Sequence, residues 1–156
     1  MRRRLYFDTS VFGGVFDEEF SDYSVQLFER VKRGEVVCLF SEAVDRELSR
    51  APSRVRQYAG SINPNSVERL KINEAAEDLA DRYMFEKIVG LKSHDDCLHI
   101  ALATVNNADG LVSWNFKHIV NENRVKLFNS VNLKLEYKEI AIHSPKHYID
   151  HEKEED

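Results

Sequence analysis

An α/β fold, with a parallel sheet covered by helices on both faces, is the architecture that this 156-residue sequence predicts. Two short apolar runs, residues 5–7 closed by Asp8 and residues 36–40, are typical of strands buried on both faces. Segments with helical periodicity alternate with such runs, and this alternation implies right-handed crossovers between parallel strands. The length and a hydrophobic content of 42% suit one domain with its own core.

The elements follow from apolar spacing and from capping and turn residues along the chain. The predicted strands are residues 5–8, 36–40, 110–114 and 140–142. The predicted helices are residues 20–34, 42–50, a segment after Pro52, and residues 74–88, 94–107 and 116–128. Gly13 and Gly14 are expected to break the chain after the first strand, and residues 70–72 form either a brief extended piece or a connector.

The chain is expected to hold a single domain over residues 1–149, followed by a charged, frayed tail over residues 150–156. Cys38 and Cys97 lie far apart and suggest two buried, reduced thiols.

No segment approaches the length that spans a membrane, so a cytoplasmic protein is expected. The net charge of −5 argues against an indiscriminate nucleic-acid coat, but it does not exclude a nuclease with clustered carboxylates.

Polar residues follow the predicted strands at the points where each strand ends. Asp8 and Ser10 follow the first strand, and Ser113 and Asn115 stand at the end of the third. Because the carboxyl ends of parallel strands share one edge, these side chains should converge there. Two further acids lie early in the helices that begin at the same edge. They are Glu47 and Asp96.

Several acids facing one cleft would repel one another, and a hard cation such as Mg²⁺ or Mn²⁺ removes that conflict. Such a site orients a phosphodiester and activates water for attack. Other acids have simpler explanations. Glu42 and Asp95 stand at helix starts, where the macrodipole favours a carboxylate, and Asp45 remains an alternative to Glu47.

The histidines and glycines of the sequence do not form two other common kinds of site. His94, His99 and His118 lack the spacing of zinc ligands, and His99 is expected to be packed or hydrogen-bonded. No glycine-rich phosphate loop of the nucleotide-triphosphatase type is present. The basic residues nearest the proposed cleft are expected to be solvated, with phosphate binding as the alternative. They are Arg46, Arg50, Lys92 and Lys117.

An ordered set of motifs spans nearly the whole chain and resembles the PIN-domain family, which includes the VapC-type toxin ribonucleases. The motifs are Asp8-Thr9-Ser10-Val11, Glu47-Leu48, the stretch from Asp96 to Ala103, and Ser113-Trp114-Asn115-Phe116, and their order continues to the closing residues 140–145. No single motif is specific, whereas the ordered set is.

The resemblance implies a three-layer α/β/α sandwich and an acidic Mg²⁺ or Mn²⁺ site that hydrolyses RNA phosphodiesters. By motif match, Asp8, Glu47 and Asp96 would bind the metal, with Asn115 as a fourth catalytic residue and Ser10 and Ser113 in support. Asn115 stands where the family usually has a further Asp. The resemblance also implies an RNA substrate, an antitoxin partner and a homodimer.

Two other functions remain open at this stage. A PIN-like module that binds RNA or protein, with catalysis weakened by Asn115, is the first alternative. A haloacid-dehalogenase-type phosphatase also begins with an Asp at a strand end. That family expects a second Asp two residues later, where this chain has Ser10, so the match fails at that position.

Overall fold

The first strand of the chain lies at the centre of a parallel sheet. The computed structural model describes residues 2–90 and 93–155, and five strands of these ranges pair in the order β3-β2-β1-β4-β5. All four pairings are parallel. The strands are β1 (Arg3–Phe7), β2 (Val36–Ser41), β3 (Val67–Leu70), β4 (Gly110–Val112) and β5 (Ile142–His143).

Helices flank the sheet and complete the predicted α/β/α sandwich, which is confirmed. They are α1 (Thr9–Gly14), α2 (Ser21–Lys32), α3 (Glu42–Leu48), α4 (Ser53–Gly60), α5 (Glu74–Phe85), α6 (His94–Val105), α7 (Glu122–Lys134) and α8 (Pro145–Glu155). Helix α2 packs against α8, and α5 packs against α6 and α7. In the described ranges, no helix combines the length and apolar character that crossing a bilayer requires.

The strand order creates a switch point between β1 and β4. From β1 the chain moves to β2 on one side of the sheet, and it later returns to β4 on the other side. In open α/β sheets, ligands bind beyond the carboxyl ends of the strands at such a point. The backbone N–H of Asp8 donates to the carbonyl of Val112 at 3.0 Å and so continues the β1–β4 pairing by one residue. Asp8 is thereby fixed at the crevice.

The apolar sequence of β1 explains why it takes the central position. Leu5, Tyr6 and Phe7 are fully buried, and β1 pairs on both sides, with Tyr6 opposite Leu39 and Leu111. Burying each such side chain contributes about 1.5–3 kcal/mol. The prediction of a strand buried on both faces is therefore confirmed.

Several element boundaries differ from the sequence prediction. Helix α7 begins at Glu122 rather than near Phe116, because the Asn121 side chain caps it by accepting from the Arg124 backbone N–H at 3.2 Å. Residues 67–70 form a strand paired with β2, whereas the segment left open between extended piece and connector was 70–72; only Leu70 of that segment lies in the strand, and residues 71–72 follow it. The last strand covers residues 142–143, and α8 continues through the residues expected to form a tail, as far as Glu155.

The two adjacent glycines do not break the chain, because both lie within α1. Gly14 is required by close packing instead of by a turn. A Cβ atom built there would lie 2.7 Å from the Ser24 Oγ atom and 2.7 Å from the Trp114 Nε1 atom. These two atoms are hydrogen-bonded to each other at 2.8 Å, so neither is free to move away. A Cβ at Gly13 would meet nothing within 4 Å.

We expect Gly14→Ala to lower the free energy of unfolding by about 1–3 kcal/mol, the usual cost of overpacking a closed site. Urea denaturation of the wild-type and variant proteins measures this difference. Gly13→Ala is the matched control, since it adds the same methyl group to the neighbouring position of the same helix. It should leave stability unchanged or raise it slightly, because alanine favours helix over glycine. Equal effects of the two substitutions would contradict the packing explanation.

Candidate active site

The Asp8 carboxylate is buried at the switch point and is held from one side by two serine hydroxyls. Ser10 Oγ donates to Asp8 Oδ2 at 2.8 Å, and Ser113 Oγ donates to the same oxygen at 2.6 Å. The other oxygen, Oδ1, faces the Nε2 atom of His99 at 3.6 Å. With only 5% of its surface exposed, Asp8 therefore presents one defined oxygen to the interior of the cleft.

The two serines also bind backbone groups of the loop that follows β4. Ser10 Oγ accepts from the Trp114 backbone N–H at 2.9 Å, and Ser113 Oγ accepts from the Asn115 N–H at 2.9 Å. Each hydroxyl donates its one hydrogen to Asp8 and accepts a backbone N–H with a lone pair. The carboxylate orientation is thus coupled to the loop that carries Asn115.

Glu47 and His99 complete a compact group with Asp8. One ligating atom from each of the three residues lies within 4.8 Å of the other two. Glu47 Oε1 is hydrogen-bonded to His99 Nε2. Glu47 extends from α3 and is partly exposed, whereas His99 on α6 is buried. Helix α3, which directly follows β2, and helix α6, which follows α5, therefore deliver side chains to one cleft.

A buried hydrogen-bond chain fixes the far side of the His99 ring. His99 Nδ1 is 2.7 Å from the Tyr6 hydroxyl, which is 2.7 Å from Ser41 Oγ. Ser41 in turn accepts from the Val44 backbone N–H at 3.2 Å and caps α3, the helix that carries Glu47. The chain aims Nε2 at the carboxylates, as the partners behind metal-ligating histidines commonly do.

The acids around His99 determine its charge. Burial alone lowers the pKa of His99, but the hydrogen bond to Glu47 and the charges of Asp8, Glu47 and Asp96 outweigh it, so the pKa is raised. A protonated imidazole offsets part of the negative charge of the cleft. His99 therefore stabilises the group of acids even without a bound cation.

Asp96 and Asn115 lie beside this group. Burial raises the pKa of Asp96, and the negative charge of Asp8 raises it further, while His99 and His118 act in the opposite direction. Asn115 Nδ2 donates to Asp96 Oδ1 at 3.4 Å, and Asn115 Oδ1 accepts from the His118 backbone N–H at 3.0 Å. Asp96 is thus electrostatically coupled to Asp8, although the compact group of three ligating atoms contains His99 instead.

The acids that the sequence offered as alternatives lie outside the compact group. Glu42 is exposed and accepts from the Ile72 backbone N–H at 2.9 Å, so it joins α3 to the segment after β3. Asp45 is exposed and lines a surface cavity of about 270 Å³ together with Arg56 and Arg69. Asp95 is exposed, whereas its neighbour Asp96 is partly buried. Among the predicted basic residues, Lys92 lies outside the described residues.

His99 is the site residue that sequence reasoning underrated. It was expected to be hydrogen-bonded, and it is, but its partner is one of the proposed catalytic acids. The available signal was its spacing, since residues three apart on a helix share a face and His99 is three residues after Asp96. Identifying Glu47 as the partner requires the packing of α3 against α6, which the sequence does not display.

The donor set fits a divalent cation. Asp8, Glu47 and His99 each offer one ligand atom within 4.8 Å of the other two, and once the imidazole has lost its proton this mixed oxygen and nitrogen set resembles those that bind Mn²⁺ and other first-row ions. The carboxylates alone suit Mg²⁺, which binds through one or two carboxylates and retains water. Asp8 Oδ1 is directed into the group while Oδ2 is occupied by hydroxyls, so the site has a prepared oxygen ligand.

Comparison with known proteins identifies the class of fold. No family model matches the sequence, and no curated protein matches it. Solved structures do match: the chain has the PIN-like fold of VapC toxin structures, as the resemblance predicted.

Three of these structures represent the match. VapBC2 from Rickettsia felis, bound to a promoter DNA fragment, is 14% identical with a TM-score of 0.60, covering 90% of this chain and 98% of that one. VapC20 from Mycobacterium tuberculosis, a toxin that cleaves the sarcin–ricin loop, is 16% identical with a TM-score of 0.58, covering 73% and 92%. FitAcB from Neisseria gonorrhoeae is 12% identical with a TM-score of 0.58, covering 92% and 99%. At these identities the similarity establishes the fold.

Proposed function

We propose that this protein is a Mg²⁺- or Mn²⁺-dependent endoribonuclease, the toxin of a type II toxin–antitoxin pair. The observation that carries the proposal is the convergence of Asp8, Glu47 and His99 at the switch point of a PIN-like sheet, with Asp96 electrostatically coupled to them. The fold of VapC20, which cleaves the sarcin–ricin loop, supports the same reaction class.

The residues would divide the work as follows. Asp8, Glu47 and Asp96 would hold the cation, which would supply Lewis-acid polarisation of the phosphodiester and activation of water. His99 is a positioning residue, since it orients Glu47 and is itself fixed by Tyr6. Ser10 and Ser113 hold Asp8 Oδ2 and leave Oδ1 for the cleft.

The partners form part of the same proposal. RNA is the substrate, and the VapC-type resemblance supports an antitoxin partner and a homodimer. The similar VapBC2 structure, bound to DNA from its promoter, is consistent with such a pair. A toxin of this kind would act in the cytoplasm on cellular RNA.

A non-catalytic PIN-like module that binds RNA or protein is the second candidate, because Asn115 stands where the family usually has an acid. Both functional groups of its amide are engaged, with Asp96 and with the His118 backbone. An amide adds no charge toward a cation, so a weaker metal site follows from this substitution.

RNA cleavage in the presence of Mn²⁺, compared with an EDTA-treated sample, separates the two candidates. We expect single-stranded RNA to be cut with Mn²⁺ and to remain intact in EDTA, because the acids need a cation to act. Gel analysis of end-labelled RNA measures cleavage, and filter binding of the same samples measures retention. RNA that is retained without cleavage in both conditions would favour the binding module.

A further inference from the structure

Three aromatic rings form a packed cluster next to the candidate active site. Trp114 stacks on Phe20 with ring centroids 4.2 Å apart and planes 18° apart. Phe116 contacts both rings, at 6.1 Å from Trp114 and 6.4 Å from Phe20. Trp114 is 8% exposed, whereas Phe116 remains 50% exposed. We call these three residues the aromatic platform; Phe116 is its most exposed ring.

The platform is rigid because Trp114 is fixed from several sides. Its indole Nε1 donates to Ser24 Oγ at 2.8 Å, and its backbone N–H donates to Ser10 Oγ at 2.9 Å. The α-carbon of Gly14 lies so close that a methyl group there would meet the indole at 2.7 Å. Phe116 packs against this fixed indole, so its ring loses less conformational entropy when a ligand stacks on it than a side chain without such a contact would.

The platform and the acidic group share one short segment of chain. Ser113 contacts Asp8, Asn115 contacts Asp96, and Phe116 is the next residue. Consecutive Cα atoms lie about 3.8 Å apart, so the backbone of Phe116 lies next to the residue that contacts Asp96. An RNA strand of several nucleotides held at the acids would therefore reach the segment that carries this ring.

The charges beyond the platform favour a nucleic acid over a protein as the ligand. Lys117 follows Phe116 and is exposed, and Arg124 Nη1 is hydrogen-bonded to His118 Nδ1 at 3.4 Å. An aromatic face beside cations is the combination that binds single-stranded RNA, in which bases stack on rings and phosphates meet basic side chains. A single exposed Phe is ordinary on a protein surface, so the argument depends on its position and its support.

We propose that Phe116 is a stacking site for an unpaired base of single-stranded RNA, one that lies next to the phosphodiester held by the acids. This inference rests on the proposed function and adds to it that the substrate must present an unstacked base at one fixed position from the scissile bond.

The first test measures stacking without cleavage, in EDTA and in an Asp8→Asn background. A single-stranded RNA oligonucleotide with 2-aminopurine at successive positions should show quenched fluorescence at one position on binding. Phe116→Ala should abolish that quenching and raise Kd about 5- to 150-fold, whereas Phe116→Tyr should retain both. Phe85→Ala is the matched control, since Phe85 is 75% exposed at the end of α5, and it should change neither quantity.

The second test uses Mn²⁺-dependent cleavage of oligonucleotides that lack one base at a time. The loss of kcat/KM caused by Phe116→Ala should disappear when the base at the stacking position is missing, because the two changes remove the same interaction. Equal losses on intact and abasic RNA, or an unchanged Kd in folded Phe116→Ala protein, would overturn the inference. So would RNA binding that is unaffected while binding of a protein partner is lost.

The outcomes also separate this inference from the proposed function. Phe116-dependent quenching without any cleavage by the wild-type protein would reject the ribonuclease and support the stacking site. Metal-dependent cleavage that is unchanged in Phe116→Ala would support the ribonuclease and reject the stacking site. Thermal unfolding of each variant checks that it is folded, and Phe116→Leu, which keeps an apolar side chain without a ring, should behave as the alanine variant does in both assays.

Discussion

Asp8→Ala should abolish Mn²⁺-dependent RNA cleavage while the protein remains folded. Loss of residues that merely support metal ligands costs about 10- to 100-fold, so loss of a ligand should cost at least about 100-fold in kcat/KM. Asp8 is the acid on which the site converges: its Oδ2 is held by Ser10 and Ser113, and its Oδ1 faces His99. Initial cleavage rates of the wild-type and variant proteins measure the effect.

The fold should survive because two consequences of this substitution oppose each other. Removing one carboxylate relieves repulsion with Glu47 and Asp96, which favours the folded state in the absence of a cation. The Ser10 and Ser113 hydroxyls lose their acceptor, which costs about 1–3 kcal/mol for a buried unsatisfied group. Asp8→Asn keeps an acceptor oxygen for the two hydroxyls. It should therefore be as inactive as Asp8→Ala, and its free energy of unfolding in urea should be at least as large as that of Asp8→Ala.

Asp95→Asn is the matched control for the charge, since Asp95 is exposed at the start of α6, one residue before Asp96. It should cleave RNA at nearly the wild-type rate. Cleavage that persists in a clean preparation of Asp8→Ala would remove Asp8 from the mechanism.

The sequence was sufficient where the chemistry is local. Buried strands are visible in the sequence as apolar runs, so β1 and β2 were predicted. Asp8 directly follows such a run, and this predicted its position at the edge of the sheet where the carboxyl ends of the strands meet. The start of α7 was missed because Asn121, a good cap, competes with the apolar residues Phe116 and Ile119 that extend the helical pattern. Strand β3 was missed at residues 67–70, and an extended piece was considered only over residues 70–72, because Glu68 and Arg69 interrupt the apolar pattern; Glu68 forms an ion pair with Arg4 across the sheet.

The site shows where sequence reasoning ends. Convergence at one sheet edge follows from parallel topology, and this places Asp8 near Ser113. Which helical side chains complete the group depends on how far each helix is rotated and tilted. Glu47 reaches Asp8 through His99, whereas Asp96, three residues before His99, lies beside the group and contacts Asn115. The spacing of residues in the sequence predicts which side chains share one face of a helix, but it does not predict which side chains of other elements that face will contact.

Asn115→Asp should tighten Mn²⁺ binding on the order of tenfold, equivalent to about 1.4 kcal/mol. The amide of Asn115 now donates to Asp96 Oδ1 at 3.4 Å, and a carboxylate in its place would turn that attraction into repulsion. A divalent cation relieves such repulsion, so the added charge destabilises the metal-free protein and strengthens binding. Isothermal titration calorimetry with Mn²⁺ measures the affinity, and the rise in Tm on adding Mn²⁺ should be larger than in the wild-type protein.

Asn65→Asp serves as the matched control for this change, because it makes the same substitution at an exposed position just before β3, at the opposite edge of the sheet. A general effect of net charge would tighten Mn²⁺ binding in both variants, whereas a local effect would appear only at position 115. If the affinity of Asn115→Asp is unchanged or weaker, Asn115 does not contact the cation, and its role is confined to holding Asp96 and the His118 backbone. In that case the acid that PIN-domain proteins usually have at the matching position is not a missing ligand here, and Asp8, Glu47 and Asp96 must suffice for the proposed metal.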